Sequence, residues 1–245
     1  MRLAILMGFS LCALASNVLA RESPAQAIKV TMEWNLSLDA QGNVTRLDAL
    51  RRTPDQVPQV RERLNVSIHN WKFRPGTIDG KGAPTDTVLS VAVALLPQGG
   101  DTYRIRVEDA RTGGHISKAV APHYPYDAVT SHTTGMVVMH VSYDADGNVV
   151  SSALEPGAPR VSASLVKATA AAMKQWQFQP ERVDGHGVAG TAVVPTCFSL
   201  SDVGWPPPAM NCQWTAPGHA AIGEGQSLAL EPAARLLTEI VGSTL

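Results

Sequence analysis

Two separate stretches of the chain show the same succession of hydrophobic and polar positions. Each begins with an alternating run of apolar and polar residues, which indicates a strand with one buried face. A short segment containing Asp, Gly and Asn follows, and then a second extended run. This succession is typical of a β-hairpin. The two predicted hairpins comprise residues 32–38, 39–43 and 44–50, and residues 136–143, 144–148 and 149–154.

A helical pattern follows each hairpin. Apolar residues recur at spacings of three and four, which indicates a helix with one buried face. Proline cannot continue a helix, so Pro75 and Pro180 end the two segments. The apolar positions are Val57, Val60, Leu64, Ile68 and Trp71 in the first stretch, and Leu165, Thr169, Ala172, Met173 and Trp176 in the second.

A glycine-containing turn and a last strand complete each stretch. The last strands are predicted at residues 87–96 and 191–200, and the first stretch adds a further strand at 103–107. Pro195 lies inside the second of the last strands. Because proline has no N–H to donate to a neighbouring strand, we expect this strand to lie at a sheet edge, at least locally.

Three short segments recur at a constant distance along the chain. Asp39 recurs as Asp144, Trp71 as Trp176 and Asp79 as Asp184, always 105 residues later. The segments around them agree as well: DAQGNV with DADGNV, WKFRP with WQFQP, and DGKG with DGHG. One offset shared by all three segments indicates two copies of one domain.

The predicted architecture is therefore α+β, with two tandem β-β-α-β domains. Each is a small antiparallel sheet packed on one helix. We place the domains at residues 27–110 and 119–202, with a linker near 109–122. A Pro-rich, disulfide-linked tail occupies residues 203–245 and carries a predicted short helix at 233–241.

The first twenty residues show the tripartite pattern of a secretory signal. Arg2 supplies a positive charge, an apolar run begins at Leu3, and small residues end at Ala20. We expect cleavage after Ala20 and export to the periplasm. The alternative is an uncleaved inner-membrane anchor, because residues 3–20 comprise 18 residues, at the lower limit for crossing a bilayer.

Export determines how the cysteines are interpreted. Cys12 leaves with the signal, and Cys197 and Cys212 remain as an even pair in an oxidising compartment. This predicts a structural disulfide. The alternative is a redox-active or metal-binding pair. However, redox pairs are usually spaced CxxC, and no His or Cys lies at metal-ligand spacing from either residue.

Composition and motifs narrow the classes of function. The 245 residues are 44% hydrophobic, which excludes a disordered chain. The chain has 20 Lys and Arg against 21 Asp and Glu, and this near balance of charge excludes a strongly basic nucleic-acid-binding protein.

Two motifs are interpreted as turns rather than as binding sites. Residues 185–190 fit GxGxxG, but they follow a helix and precede a strand, so we predict a turn. Residues 144–147 lack the further ligands of a calcium loop, which again predicts a turn. We expect no catalytic site, no metal and no cofactor.

The motifs of the second stretch follow a recognisable order. Tyr124-Pro125 and Ala128 precede a Gly-x-Val strand at Gly135, and then come Gly147, Trp176, Phe178 and Pro180. This order resembles the C-terminal domain of TonB, the energy transducer of Gram-negative envelopes. There, a Tyr-Pro-x-x-Ala segment precedes a strand, an Asp-x-x-Gly turn, a helix ending in Trp-x-Phe-x-Pro, and a final strand. The first stretch matches from its first strand to its last, but lacks the Tyr-Pro start.

The resemblance implies binding rather than catalysis. In the TonB family the last strand accepts a short extended segment of an outer-membrane transporter by strand addition. Tyr124 and Pro125 would buttress the sheet. Carried over by position, the peptide-binding strand comprises Val193, Val194, Thr196, Phe198 and Leu200. We expect Val193, Thr196 and Phe198 on one face of this strand, and Val194, Cys197 and Ser199 on the other.

We therefore expect a non-catalytic periplasmic protein that binds an outer-membrane transporter or another envelope protein, and no nucleic acid. Homodimers through sheet edges are a further expectation. One alternative is a membrane-anchored TonB-type transducer or accessory. Fully extended, residues 21–31 reach at most about 36 Å at ~3.3 Å per residue, which is far short of the width of the periplasm. We therefore rank this alternative second. The other alternative is a structural envelope protein whose sheet edges are covered within the tandem pair.

Overall fold

The computed structural model describes residues 27–50, 58–99, 102–200 and 212–245. Both predicted hairpins, helices and last strands lie close to their expected positions. The first part of the chain forms β1 (Ile28–Leu38), β2 (Val44–Ala49), α1 (Pro58–Ile68), β3 (Phe73–Arg74), β4 (Thr77–Ile78), β5 (Lys81–Gly82), β6 (Thr85–Gly99) and β7 (Thr102–Gly113). The second part forms β8 (His115–Lys118), α2 (Tyr126–Thr130), β9 (Gly135–Tyr143), β10 (Val149–Leu154), α3 (Ala163–Met173), β11 (Gln177–Gln179), β12 (Arg182–Val183), β13 (His186–Gly187) and β14 (Gly190–Phe198). The tail adds β15 (Leu228–Ala229) and β16 (Arg235–Leu236).

The first sheet is antiparallel, and its long strands lie in the order β2-β1-β6-β7. Alternate residues of β1 face α1, and Trp34 and Leu36 pack with Leu64 and Ile68 in one core. The short strand β12 extends this sheet beside the start of β6. The last strand of the first repeat, β6, is therefore an interior strand, because β1 and β7 flank it.

The second sheet is also antiparallel, in the order β10-β9-β14-β15. Its core lies between the sheet and α3, where Leu165 and Met173 pack against Val137, Met139 and Val141. Ser162 caps the helix, because its Oγ accepts a hydrogen bond from the N–H of Ser164 at 3.3 Å. The last strand here, β14, has β9 on one side, and on the other side the described residues supply only the two-residue strand β15.

The two hairpin turns are built in the same way. In each, the Oδ1 of an aspartate accepts hydrogen bonds from the N–H groups two and four residues later: Asp39 from Gln41 and Asn43, and Asp144 from Asp146 and Asn148. The side-chain amide of Asn148 also donates to the carboxylate of Asp144, and this bond, followed by those from the backbone, lowers the pKa of Asp144. The carboxylate of Asp144 thus stabilises a hairpin turn, and the sequence-based prediction of a turn is confirmed.

Two expectations for the chain connections are wrong. The predicted linker near 109–122 is partly strand, since β7 runs to Gly113 and β8 pairs with β11. The predicted helix at 233–241 is absent, and β16 pairs there with β3 instead. Ala234 is buried in the core of the first sheet and Leu236 and Ile240 pack against that core, and these tertiary contacts outweigh helix propensity. The predicted signal at 1–20 and the Trp-Pro segment at 205–208 lie outside the described residues.

Candidate functional site

The candidate site is β14, whose nine residues pair with β9 along its whole length. The side chains of Val193, Val194, Thr196 and Phe198 are all buried. Leu200 lies beyond the end of the strand and is half-buried. A partner along this strand would therefore contact its backbone rather than these side chains.

The expected division of side chains between the two faces is wrong. Val194 and Phe198 both pack into the core beneath α3, whereas Val193 lies outside that cluster. Side chains alternate with a period of two along a strand, so Val193 and Thr196 cannot share a face in a regular strand.

The proline places the outer side of β14 at a sheet edge, as predicted. Pro195 is opposite Val138 of β9. The C=O of Val138 faces the other way, toward β10, because it accepts a hydrogen bond from the N–H of Glu155 at 2.9 Å. The nitrogen of Pro195 therefore faces outward, and so do the backbone groups of Val193 and Cys197 two residues to either side.

The tail of the chain covers part of this outer side. Strand β15 pairs with Ala192 and Val193, and the N–H of Leu230 donates to the C=O of Thr191 at 3.0 Å. Leu228 of β15 belongs to a small separate core with Ala216 and Ile222. From Val194 to Phe198, no strand of the described residues pairs with β14 on its outer side.

The predicted disulfide is present, and it joins the end of β14 to the tail. Cys197 bonds to Cys212 with their Cα atoms 5.9 Å apart. The tail is thus attached to β14 twice, covalently at Cys197 and through β15 at Val193.

The motif residues of the second sheet hold β14 in place from behind. Tyr124 packs edge-on against Phe198 with ring centroids 5.2 Å apart, and its hydroxyl donates to the C=O of Thr133. Pro125 precedes α2 at its N-terminus. Trp176 is buried as predicted, and its indole N–H donates to the C=O of Val120 at 2.8 Å. These contacts tie the chain before β9 to β14 and to the segment that follows α3.

Phe178 and Gly147 form a second contact of the same kind. Phe178 stacks on Tyr143 of β9 with ring centroids 4.5 Å apart. Its N–H donates to the C=O of Gly147, which has a φ of +86°. A Cβ at Gly147 would overlap the carbonyl oxygen of Phe178. Glycine is therefore required at this turn.

One buried carboxylate in the second part of the chain bonds to the first sheet and to the tail, and the sequence analysis missed it. Pro180 leads into Glu181, whose carboxylate accepts hydrogen bonds from Thr87 Oγ1 at 2.7 Å and from the N–H groups of Ala233 and Ala234. Burial raises the pKa of Glu181 against the effect of these bonds. Burial, together with the charge of Glu181, also raises the pKa of Tyr143 to about 12.

The described residues contain no group of three or more His, Cys, Asp or Glu side chains that could hold a metal ion. Within the same part of the chain, no helix is long and apolar enough to cross a membrane. No sequence pattern indicates the role of Glu181, because a single glutamate between a proline and an arginine resembles an ordinary solvated loop residue.

The second sheet and its helix define an α+β module: a hairpin, a helix and a last strand whose outer side is partly open. Residues 120–200 match the family described as Gram-negative bacterial TonB protein C-terminal. This confirms the resemblance for one domain. The match does not extend to residues 27–110, so a first domain of the same type there stays a prediction.

Two curated relatives carry the same name. Protein TonB of Xanthomonas campestris pv. campestris, from strain B100 and from strain ATCC 33913, is 32% identical over 80 residues. The alignment covers 33% of this chain and 35% of each relative, so the chain spans about a third of the length of the relatives that it matches. No solved structure matches the chain.

Proposed function

We propose that the chain is a non-catalytic envelope protein of the TonB type. In this proposal, residues 120–200 bind an extended segment of an outer-membrane transporter by adding it as a strand to β14. The observation that carries the proposal is the outer side of β14, which no described strand pairs with beyond Val193. The match of residues 120–200 to the TonB C-terminal family supports it.

Recognition at this edge would run through the main chain. The outward-facing groups beyond Val193 are the C=O of Pro195 and the N–H and C=O of Cys197. Two residues hold an extended segment only weakly, and the outward groups of Thr191 and Val193 are occupied by the tail. Binding along the full strand therefore requires residues 228–230 to move away.

The remaining features of the proposal rest on the sequence. The repeat at an offset of 105 residues supports a second unit of the same type at 27–110. In that unit β7 covers the outer side of β6, so only β14 would accept a segment. The signal pattern of residues 1–20 supports a periplasmic location, and binding by strand addition needs no cofactor.

A proline in the tail tests the proposal. Leu230→Pro removes the N–H that donates to Thr191, so it weakens the hold of the tail on β14. We expect a peptide that copies the transporter segment to bind this variant at least about tenfold more tightly than the intact chain, because tenfold needs only ~1.4 kcal/mol, about one hydrogen bond. Fluorescence anisotropy measures the affinity. Leu230→Ala keeps the N–H and is the matched control, so equal affinities for the two variants would count against displacement of the tail.

A second candidate function is a closed structural protein of the envelope. It is favoured by β15, which covers β14 in the way that a bound segment would. The same titration separates the two candidates. Binding to the Leu230→Pro variant supports the docking function, and no binding to either variant or to the intact chain supports the closed structural protein.

A further inference from the structure

The four outermost long strands of the two sheets are protected to different degrees. An exposed strand edge offers unpaired N–H and C=O groups to other chains, and proteins usually cover such an edge or place charges on it. Three of the four strands here, β14, β7 and β2, carry such protection. For the fourth, β10, the described part of the chain supplies no such protection.

The protection of β14 and β7 comes from the tail. Strand β15 covers β14 at Val193, and Pro195 removes a donor further along. On β7, the N–H of Val107 donates to the C=O of Ser243, and the N–H of Leu245 donates to the C=O of Ile105. The same tail thus covers one edge of each sheet.

Strand β2 is protected by charge. It occupies the same place in the first sheet as β10 in the second, 105 residues earlier. Arg46 and Asp48 form an ion pair on β2, and both side chains are largely exposed. The positions equivalent to them on β10 are Ser151 and Ala153. The two equivalent strands therefore differ in charge: the edge of β2 carries an ion pair, and the same positions of β10 are uncharged.

The exposed edge of β10 is apolar and offers backbone groups. The strand reads VVSSAL and contains no charged residue. Val150 is 64% exposed and Leu154 is 42% exposed. The N–H of Glu155 bonds to β9, so the backbone groups of Leu154 and Ser152, one and three residues earlier, face away from β9. Among the described residues, no strand pairs with β10 on that side.

We propose that β10 pairs antiparallel with β10 of a second copy of this chain, which joins the two second sheets into one continuous sheet. A two-fold axis at Ser152 gives both strands the same reciprocal hydrogen bonds. In this register Leu154 of one copy lies opposite Val150 of the other, so both exposed apolar side chains become covered. The two Glu155 side chains lie at opposite ends of the pair, which avoids like-charge repulsion.

A charge on β10 tests the proposal. We expect sedimentation velocity to show a monomer–dimer equilibrium, in a concentration series that reaches about 1 mM because small interfaces associate weakly. Val150→Lys should weaken association at least about tenfold, because an edge lysine opposes strand pairing. The matched control is Thr45→Lys at the equivalent position of β2, which should leave association unchanged.

A second variant addresses the backbone. Ser152→Pro removes an outward-facing N–H without removing a hydrogen bond to β9, so it should also abolish most of the association. Circular dichroism verifies that each variant is folded. A chain that stays monomeric throughout the series overturns the proposal. So does a dimer that resists both Val150→Lys and Ser152→Pro, or one that Thr45→Lys weakens equally.

Discussion

Replacing Glu181 with alanine should lower the free energy of unfolding by about 4 kcal/mol. The substitution leaves Thr87 Oγ1 and the N–H groups of Ala233 and Ala234 without their acceptor in a buried site. Each unsatisfied buried group costs roughly 1–3 kcal/mol. Chemical denaturation of the variant and the intact chain measures the difference.

The matched control is another glutamate with a single side-chain partner. Glu155 contacts the half-exposed His140 at 3.2 Å, and a pair of this kind contributes roughly 0–1 kcal/mol. Glu155→Ala should therefore have a small effect. Equal losses in the Glu155→Ala and Glu181→Ala variants would show that Glu181 does not stabilise the contact between the first sheet and the tail.

The same carboxylate should make stability depend on pH in a defined direction. Burial raises the pKa of Glu181 above its ordinary value of 4.5, so the folded state holds this proton more tightly than the unfolded state. The stabilising contribution is then complete below pH 4.5 and is lost as pH rises through the raised pKa. Glu181→Gln removes the titration. The stability difference between the intact chain and this variant should therefore shrink as pH rises, and a constant difference would contradict the assignment.

The second large effect is expected at the turn before β10. Gly147→Ala should lower the free energy of unfolding by about 3 kcal/mol, as judged by chemical denaturation. A positive φ costs a non-glycine residue roughly 1–2 kcal/mol, and overlap with the carbonyl oxygen of Phe178 adds a similar amount. The expected loss includes the weakened hydrogen bond from Phe178 to Gly147.

Gly185 supplies the control for this turn. Its φ is +78°, close to that of Gly147, but an added Cβ would meet nothing within 4 Å. Gly185→Ala should therefore show the backbone strain alone, about 1 kcal/mol. The difference between the two variants measures the close approach of Phe178. If both substitutions have the same effect, the contact with Phe178 is not what requires glycine at position 147.

Local pattern was sufficient to predict the hairpins, the helices and the last strands. Alternation in β1 and β9, and three-and-four spacing in α1 and α3, reflect which side of each element faces a core. The candidate strand β14 and the supporting residue Tyr124 were implied by the resemblance of the motif order to the TonB family, whereas the buried Trp176 was predicted from its helical stripe. These features are encoded within a few residues of where they act, so they can be read without knowing the fold.

The tail could not be predicted in the same way. β15 and β16 are two residues long, too short to show a periodicity, and their partners lie far away in the chain. Residues 233–241 show the composition of a helix, but contacts with a distant core decide their conformation. The closure of β14 and the position of Glu181 both depend on this long-range packing, and the sequence therefore indicated an open edge where the structure shows a partly covered one.

The most direct test of the account is hydrogen exchange at the N–H of Cys197 and Val193, followed by NMR during titration with the transporter-segment peptide. Both groups face outward from β14, and of these two residues Val193 pairs with β15 whereas Cys197 does not. We expect the peptide to slow exchange at Cys197 and to release the N–H of Leu230 from Thr191 at the same time. If bound peptide slows exchange elsewhere and leaves Cys197 and Leu230 unchanged, β14 is not the binding edge.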